Sequence, residues 1–406
     1  MKQKEIEKVC QEFLSRYAKT GKKVSSKYLE DIIQKATRKA EVNYKKLKNP
    51  KICDLKTYIT YWIREDLISD FIYKTWPKKA ISHPTQKNPV ALAINNYFKV
   101  LPLNGFPILW KGIHQKLEKR GEEYTRKLYL PILKKGEKLY PIILQARNQA
   151  AQKQGYEFYI NQRLSDHKIS SRDYQYFLDN KDKVIKFCQT NIPQINLPNW
   201  FYSQFRNQCF LCQLVDFPEI PSKKEVIELI SNEYPILKKF QHKIKIKKGK
   251  VSSTTYIRET DSFKICLSEK NNQRHNFVDL IHELSHVISQ IKNFQKGIDP
   301  LSLGKYLNEV DALQIELKLL KKISHQVYQT EIANCLKTLS IVLFEIESHK
   351  NPDQDLSKLY AKTVNFCFPK AKQDKNYSYL IEQNLVMKPL RSLPHAVAAV
   401  KVLSEK

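Results

Sequence analysis

Apolar residues recur at helical spacing along most of this chain. Over 55–71 they fall at Tyr58, Ile59, Trp62, Ile63 and Leu67, three and four residues apart, which predicts an amphipathic helix closing a set of short helices in the first 72 residues. The period is lost in TWPKKAISHPTQKNP, 75–89, whose three prolines predict a linker or boundary. Helical spacing returns from about 95 to 240, interrupted by turns at Pro193, Pro198, Pro218 and Pro221. Over 241–268 the pattern changes to alternation, around Lys248-Gly249-Lys250 and again around Thr260-Asp261, as in a β-hairpin or small antiparallel sheet. Helices follow to residue 406, and no repeat of solenoid period is visible. The expected architecture is mainly α: a basic helical module at 1–74, a linker at 75–94, and a multi-helical domain at 95–406 with a small antiparallel β element.

Composition agrees with a helical chain, because only 9 glycines and 18 prolines occur in 406 residues. The 42% hydrophobic content is enough for a sizeable core and excludes disorder throughout. The formal charge is +29, and residues 1–150 hold 32 basic against 14 acidic side chains, so the N-terminal part is the expected contact for a polyanion. The chain starts without an apolar leader and has no run of about 18 apolar residues. A cytoplasmic protein with no membrane span is expected. The eight cysteines are scattered; Cys209 and Cys212 form one CxxC with no second pair to complete a zinc site, so reduced structural thiols are expected.

The strongest chemical signal is FVDLIHELSHVI, 277–288, with His282, Glu283 and His286 in the order HExxH. On a helix, residues four apart share a face, so both imidazoles can reach one Zn²⁺ while Glu283 stands beside it. SFKICLSE, 262–269, precedes this helix as an expected edge strand able to pair with an extended peptide. A loop with Gly297 and Pro300 leads to a second expected helix, 303–320, which carries Glu309, 23 residues beyond His286. Packed antiparallel to the first, that helix could present Glu309 as third ligand, with Asp311 and Glu316 as substitutes. Three protein ligands leave the fourth position open for chemistry. Glu283 is the expected general base of a peptide-bond hydrolysis through a metal-activated water, without a covalent intermediate.

HELSH followed by Glu309 in NEVDA resembles the gluzincin metallopeptidases, and the helical chain around it is similar to the thimet oligopeptidase and oligoendopeptidase F family over about 130–406. ILQARNQAAQKQGYEFYINQRL, 143–164, resembles that family's helix upstream of the site, and NYSYLIEQNLV, 376–386, its C-terminal Tyr-rich segment. The resemblance implies zinc on His282, His286 and Glu309, Glu283 as base, a peptide or protein substrate, and Tyr379 as donor to the oxyanion, with Tyr377 and His395 as weaker candidates. RHNFVDLIHELSH with EVDALQIELKLL also resembles shorter zincins that cleave phage and stress-response repressors.

LEDIIQKATRKAEVNYKKL and DLKTYITYWIREDLISDFI resemble region 2 of bacterial sigma factors, over about 10–72. That resemblance implies that Tyr58, Tyr61 and Trp62 stack on unpaired bases beside Arg64, with nucleic acid or RNA polymerase as partner. The alternative function is accordingly a DNA-binding or transcription-associated protein whose zincin-like domain is inactive or regulatory.

Overall fold

The helical period becomes helix in the computed structural model, which describes residues 3–18, 24–47, 52, 54–75, 89–100, 133–134, 136–192, 221–269, 273–371, 374–381 and 383–406. Along the chain run α1 (Gln3–Ala18), α2 (Ser26–Lys46), α3 (Leu55–Thr75), α4 (Pro89–Val100), α5 (Tyr140–Gln152), α6 (Tyr159–Asp166), α7 (Ser171–Asn191), α8 (Lys223–Glu233) and α9 (Pro235–Phe240). The strands β1 (Ile244–Gly249), β2 (Ser253–Ile257) and β3 (Ser262–Ser268) follow. Then come α10 (Gln273–Gln295), α11 (Pro300–Ile323), α12 (His325–Lys350), α13 (Leu356–Cys367), α14 (Gln383–Met387) and α15 (Leu393–Leu403). The fold is mainly helical with one small sheet, as expected. Among the described residues no helix is long and apolar enough to cross a membrane.

The chain divides into two compact units: Met1–Lys78 with Phe217–Val327, and Lys79–Asp216 with Tyr328–Lys406. The 1–74 segment thus shares a unit with the sheet, α10 and α11, and the 95–406 stretch is split between the two. Of the expected linker, 76–88 lies outside the described residues and 89–94 opens α4. Cys209 and Cys212 also lie outside them.

In the first unit α3 packs its aromatic stripe inward. Tyr58 and Trp62 have no exposed surface, Tyr61 is 8% exposed and Arg64 4%. The Tyr58 hydroxyl donates to the Arg258 carbonyl at 2.5 Å, and the Tyr61 ring meets Tyr256 and Phe294 with centroids 5.4 and 6.2 Å away. The face that the sequence offers to unpaired bases is therefore core, because the i, i+4 stripe of large rings is buried against the sheet and α10.

The sheet also departs from expectation. Its order is β1-β3-β2, with β1 parallel and β2 antiparallel to β3. The turn at Lys248-Gly249-Lys250 is thus no hairpin: the chain leaves β1 and re-enters on the far side of β3. Gly249 permits the close approach of β1 and β3, since a Cβ there would lie 3.1 Å from the Cys266 Cβ. SFKICLS is the central strand, and among the described residues β1 and β2 are the edges.

α10 ends in a Schellman turn. Gly297, at φ +70°, donates to the Phe294 carbonyl at 3.0 Å, and Ile298 donates to the Asn293 carbonyl at 2.8 Å. The Asp299 side chain then accepts from the Leu301 N–H at 2.9 Å as N-cap of α11, with Pro300 in the first turn. Gly304, at φ +77°, interrupts the early part of α11 before the segment bearing Glu309.

The second unit has an aromatic core, in which Tyr140, Phe344 and Tyr360 surround Tyr379 at centroid distances of 5.4, 5.1 and 5.9 Å. The 143–164 segment is two helices, because Gly155 at φ +82° breaks it between α5 and α6. Asn148 spans the break, accepting from the Tyr159 N–H and donating to the His349 carbonyl.

Candidate metal centre

The rotation of α10 is fixed by its apolar face: Phe277, Leu280, Ile281, Leu284, Val287 and Ile288 are all buried. Two residues of the HExxH run on adjacent turns, His282 and His286, keep 26% and 13% of their side chains exposed. Their rings stand perpendicular with centroids 4.7 Å apart, and their Nε2 atoms are 3.2 Å apart.

α11 brings the third donor to this pair. Glu309 Oε2 lies 3.4 Å from His286 Nε2 and 3.8 Å from His282 Nε2. A triangle with these three edges has a circumscribed radius of about 2.0 Å, which matches Zn–N and Zn–O bonds of roughly 2.0–2.2 Å. Two imidazole nitrogens and one carboxylate oxygen are also the donor types of open zinc sites. The residues present therefore fit the ion. Of the substitutes, Asp311 is used elsewhere, accepting from Ser289 at 3.0 Å and Asn293 at 3.2 Å. Glu316 stands behind the pair, with Oε2 2.8 Å from His282 Nδ1.

The electrostatics suit a cation. Burial pushes the His282 imidazole down, but the charge and hydrogen bond of Glu316, then Glu309 and Glu283, outweigh it and hold its pKa well above the usual range. Burial raises the Glu283 carboxyl, opposed by His282, by a hydrogen bond from Thr254 and by His286. Thr254 Oγ1 lies 2.7 Å from Glu283 Oε2 and 2.9 Å from the Glu283 carbonyl. Glu283 is 6% exposed, beside the three donors but not part of their triangle.

Tyr379, the implied oxyanion donor, belongs to the second unit. It has no exposed surface, its hydroxyl is buried in the aromatic core of the second unit, and burial raises its pKa. Tyr377 is half-buried. Sequence reasoning missed Thr254 and misplaced Glu316. Glu316 is seven residues from Glu309, two turns along the same face, a spacing that could have shown it standing behind the ligands. Thr254 has no such signal, since alternation does not tell which helix a strand face meets.

No protein-family model and no curated protein matches this sequence. Among solved structures the chain resembles one described as PZ peptidase A with inhibitor 2, at 12% identity and a TM-score of 0.44, covering 94% of this chain and 85% of that one.

Proposed function

We propose that this chain is a zinc-dependent peptidase in which His282, His286 and Glu309 hold the metal and Glu283 is the general base. The observation that carries this reading is the triangle of two Nε2 atoms and one Oε2, with edges of 3.2, 3.4 and 3.8 Å, contributed by two helices. When bound, zinc lowers the pKa of water toward about 7 and polarises a carbonyl as a Lewis acid.

The chain's own residues do the rest. Glu283, buried and raised in pKa, takes the proton of the attacking water and returns it to the leaving nitrogen, so no covalent intermediate forms. Glu316 holds His282 through Nδ1, which leaves Nε2 to face the ion. β2 is a sheet edge beside Glu283, and its backbone can pair with an extended peptide, the role that the sequence gives to β3.

The test is metal content together with turnover of internally quenched fluorogenic peptides. The wild-type chain is expected to hold one zinc, lost in His282→Ala. Glu283→Gln is expected to keep the zinc and to lose between about 100- and 10,000-fold in kcat. A chain that takes up no zinc, or a Glu283→Gln variant as active as wild type, overturns the reading.

A further inference from the structure

We infer that Thr254 is a positioning residue for Glu283, tying one carboxylate oxygen so that the other is the proton acceptor; this rests on the peptidase reading above. One face of β2 meets α10 at three successive points. Ser252, just before the strand, donates to Asp279, Thr254 reaches Glu283, and the Tyr256 ring lies 4.8 Å from that of Phe294. Residues two apart on a strand rise about 6.6 Å, and residues four apart on a helix about 6 Å. Asp279 and Glu283 therefore match Ser252 and Thr254 rung for rung.

Thr254 has one hydroxyl proton and two acceptors, Glu283 Oε2 at 2.7 Å and the Glu283 carbonyl at 2.9 Å. The charged oxygen at the shorter distance takes it, because charge-assisted hydrogen bonds are the stronger ones. Thr254 is β-branched and pairs in register with Ile265 of the central strand, which has no exposed surface. Its χ1 is thereby stiff and its backbone anchored, so Oγ1 is held in place. A carboxylate tied at Oε2 has lost the rotation that would exchange its two oxygens. Oε1 is left to receive the proton of the attacking water.

The test compares Thr254→Val, which keeps the shape and removes the O–H, with Thr254→Ser, which keeps the O–H. In zinc-loaded protein acting on internally quenched peptides, Thr254→Val is expected to lower kcat about 10-fold with KM within about twofold. Thr254→Ser is expected to restore at least about half of the wild-type kcat. Zinc affinity, read by competition with a chromophoric chelator, should stay within about twofold in both, because neither residue touches a ligand atom. A second readout is independent of turnover. With ¹³C-carboxyl glutamate, the Glu283 stretch, assigned by its loss in Glu283→Gln, should shift in Thr254→Val and stay in place in Thr254→Ser. Unchanged kcat in Thr254→Val, failure of serine to restore it, or an unmoved band overturns the inference and leaves the peptidase reading standing. A wild-type chain that holds zinc and cleaves nothing overturns both.

Discussion

His282 Nδ1 lies 2.8 Å from Glu316 Oε2, and Glu316 is 2% exposed, so a buried carboxylate grips the ring nitrogen opposite the one that faces Glu309. With a metal on Nε2, the ring keeps its proton on Nδ1, where Glu316 accepts the hydrogen bond. Glu316→Leu is expected to weaken zinc binding by about 10- to 100-fold. Glu316→Gln should cost less, because its amide oxygen still accepts from Nδ1. Chelator competition measures both, and equal affinity in all three proteins would remove Glu316 from this role.

Arg64 and Asp299 form a second buried relationship, at the start of α11. Their charged groups lie 3.0 Å apart, each side chain 5% exposed, and Asp299 caps the first turn of α11, ahead of the break at Gly304. Arg64→Leu leaves a buried carboxylate without its guanidinium, at a cost of about 3 kcal/mol in unfolding free energy. Arg64→Leu with Asp299→Asn should recover part of that loss. Urea denaturation of the two variants is the measurement; Arg64→Leu as stable as wild type would show that the buried pair contributes nothing to stability.

The two helices of the candidate site were legible in the sequence because each is amphipathic over several turns. His282 and His286 are four apart, and that spacing already places them on one face. Glu309 was legible as a candidate only; the turn between its helix and α10 is built from Gly297, Asp299 and Gly304, with Arg64, more than 200 residues distant in sequence, paired to Asp299. The sheet was legible as alternation, yet its order was not. SFKICLS looks half-buried on its own, and β1 is what makes it central, by pairing along its whole length from Ile244 opposite Phe263 to Gly249 opposite Ser268. The aromatic residues of α3 were misread for a related reason. A base-stacking face and a buried stripe have the same spacing, and only the Arg258 guanidinium, 3.6 Å from the Trp62 ring centroid, with Tyr256 and Phe294 against Tyr61, distinguishes them.

That packing makes Trp62 a structural keystone of the first unit. It has no exposed surface, with Arg258 over its ring and Lys39 4.7 Å from the ring centroid. Arg258 also donates to Asp66 at 3.0 Å, tying the end of β2 to α3. Trp62→Ala is expected to cost about 3–5 kcal/mol, and to lower zinc affinity only as far as it unfolds the unit. A variant with unchanged thermal stability would show that the ring is not core.

Gly297 separates backbone strain from side-chain crowding. At φ +70° it turns the chain from α10 toward α11, and a Cβ there would meet nothing nearer than Thr57 Oγ1 at 3.8 Å. Space is therefore ample, and Gly297→Ala should cost only the left-handed penalty, about 1 kcal/mol. Thermal denaturation measures it; a loss several times larger would mean that the loop moves to accept the methyl group.

In the second unit, His349 predicts a pH dependence with a definite sign. The residue has no exposed surface, its Nδ1 lies 2.8 Å from the Glu345 carbonyl, and its ring stacks on Tyr159 at 5.2 Å. Burial, then the nearby charge of Arg147, pushes its pKa down to about 3, against the smaller opposing pull of the Glu345 carbonyl. The folded chain therefore keeps a neutral imidazole, while the unfolded chain takes up a proton near pH 6.5. Between these two values the unfolded state binds one proton more, so stability falls as pH is lowered, by about 1.4 kcal/mol per pH unit, and above pH 6.5 the residue adds no slope. His349→Phe keeps a ring against Tyr159 and removes the titration. Over about pH 4–6 its unfolding free energy should follow a slope shallower than wild type by that same amount, because the carboxylates contribute equally to both proteins. Parallel slopes would mean that the folded chain holds the imidazole protonated, with the proton shared to the Glu345 carbonyl.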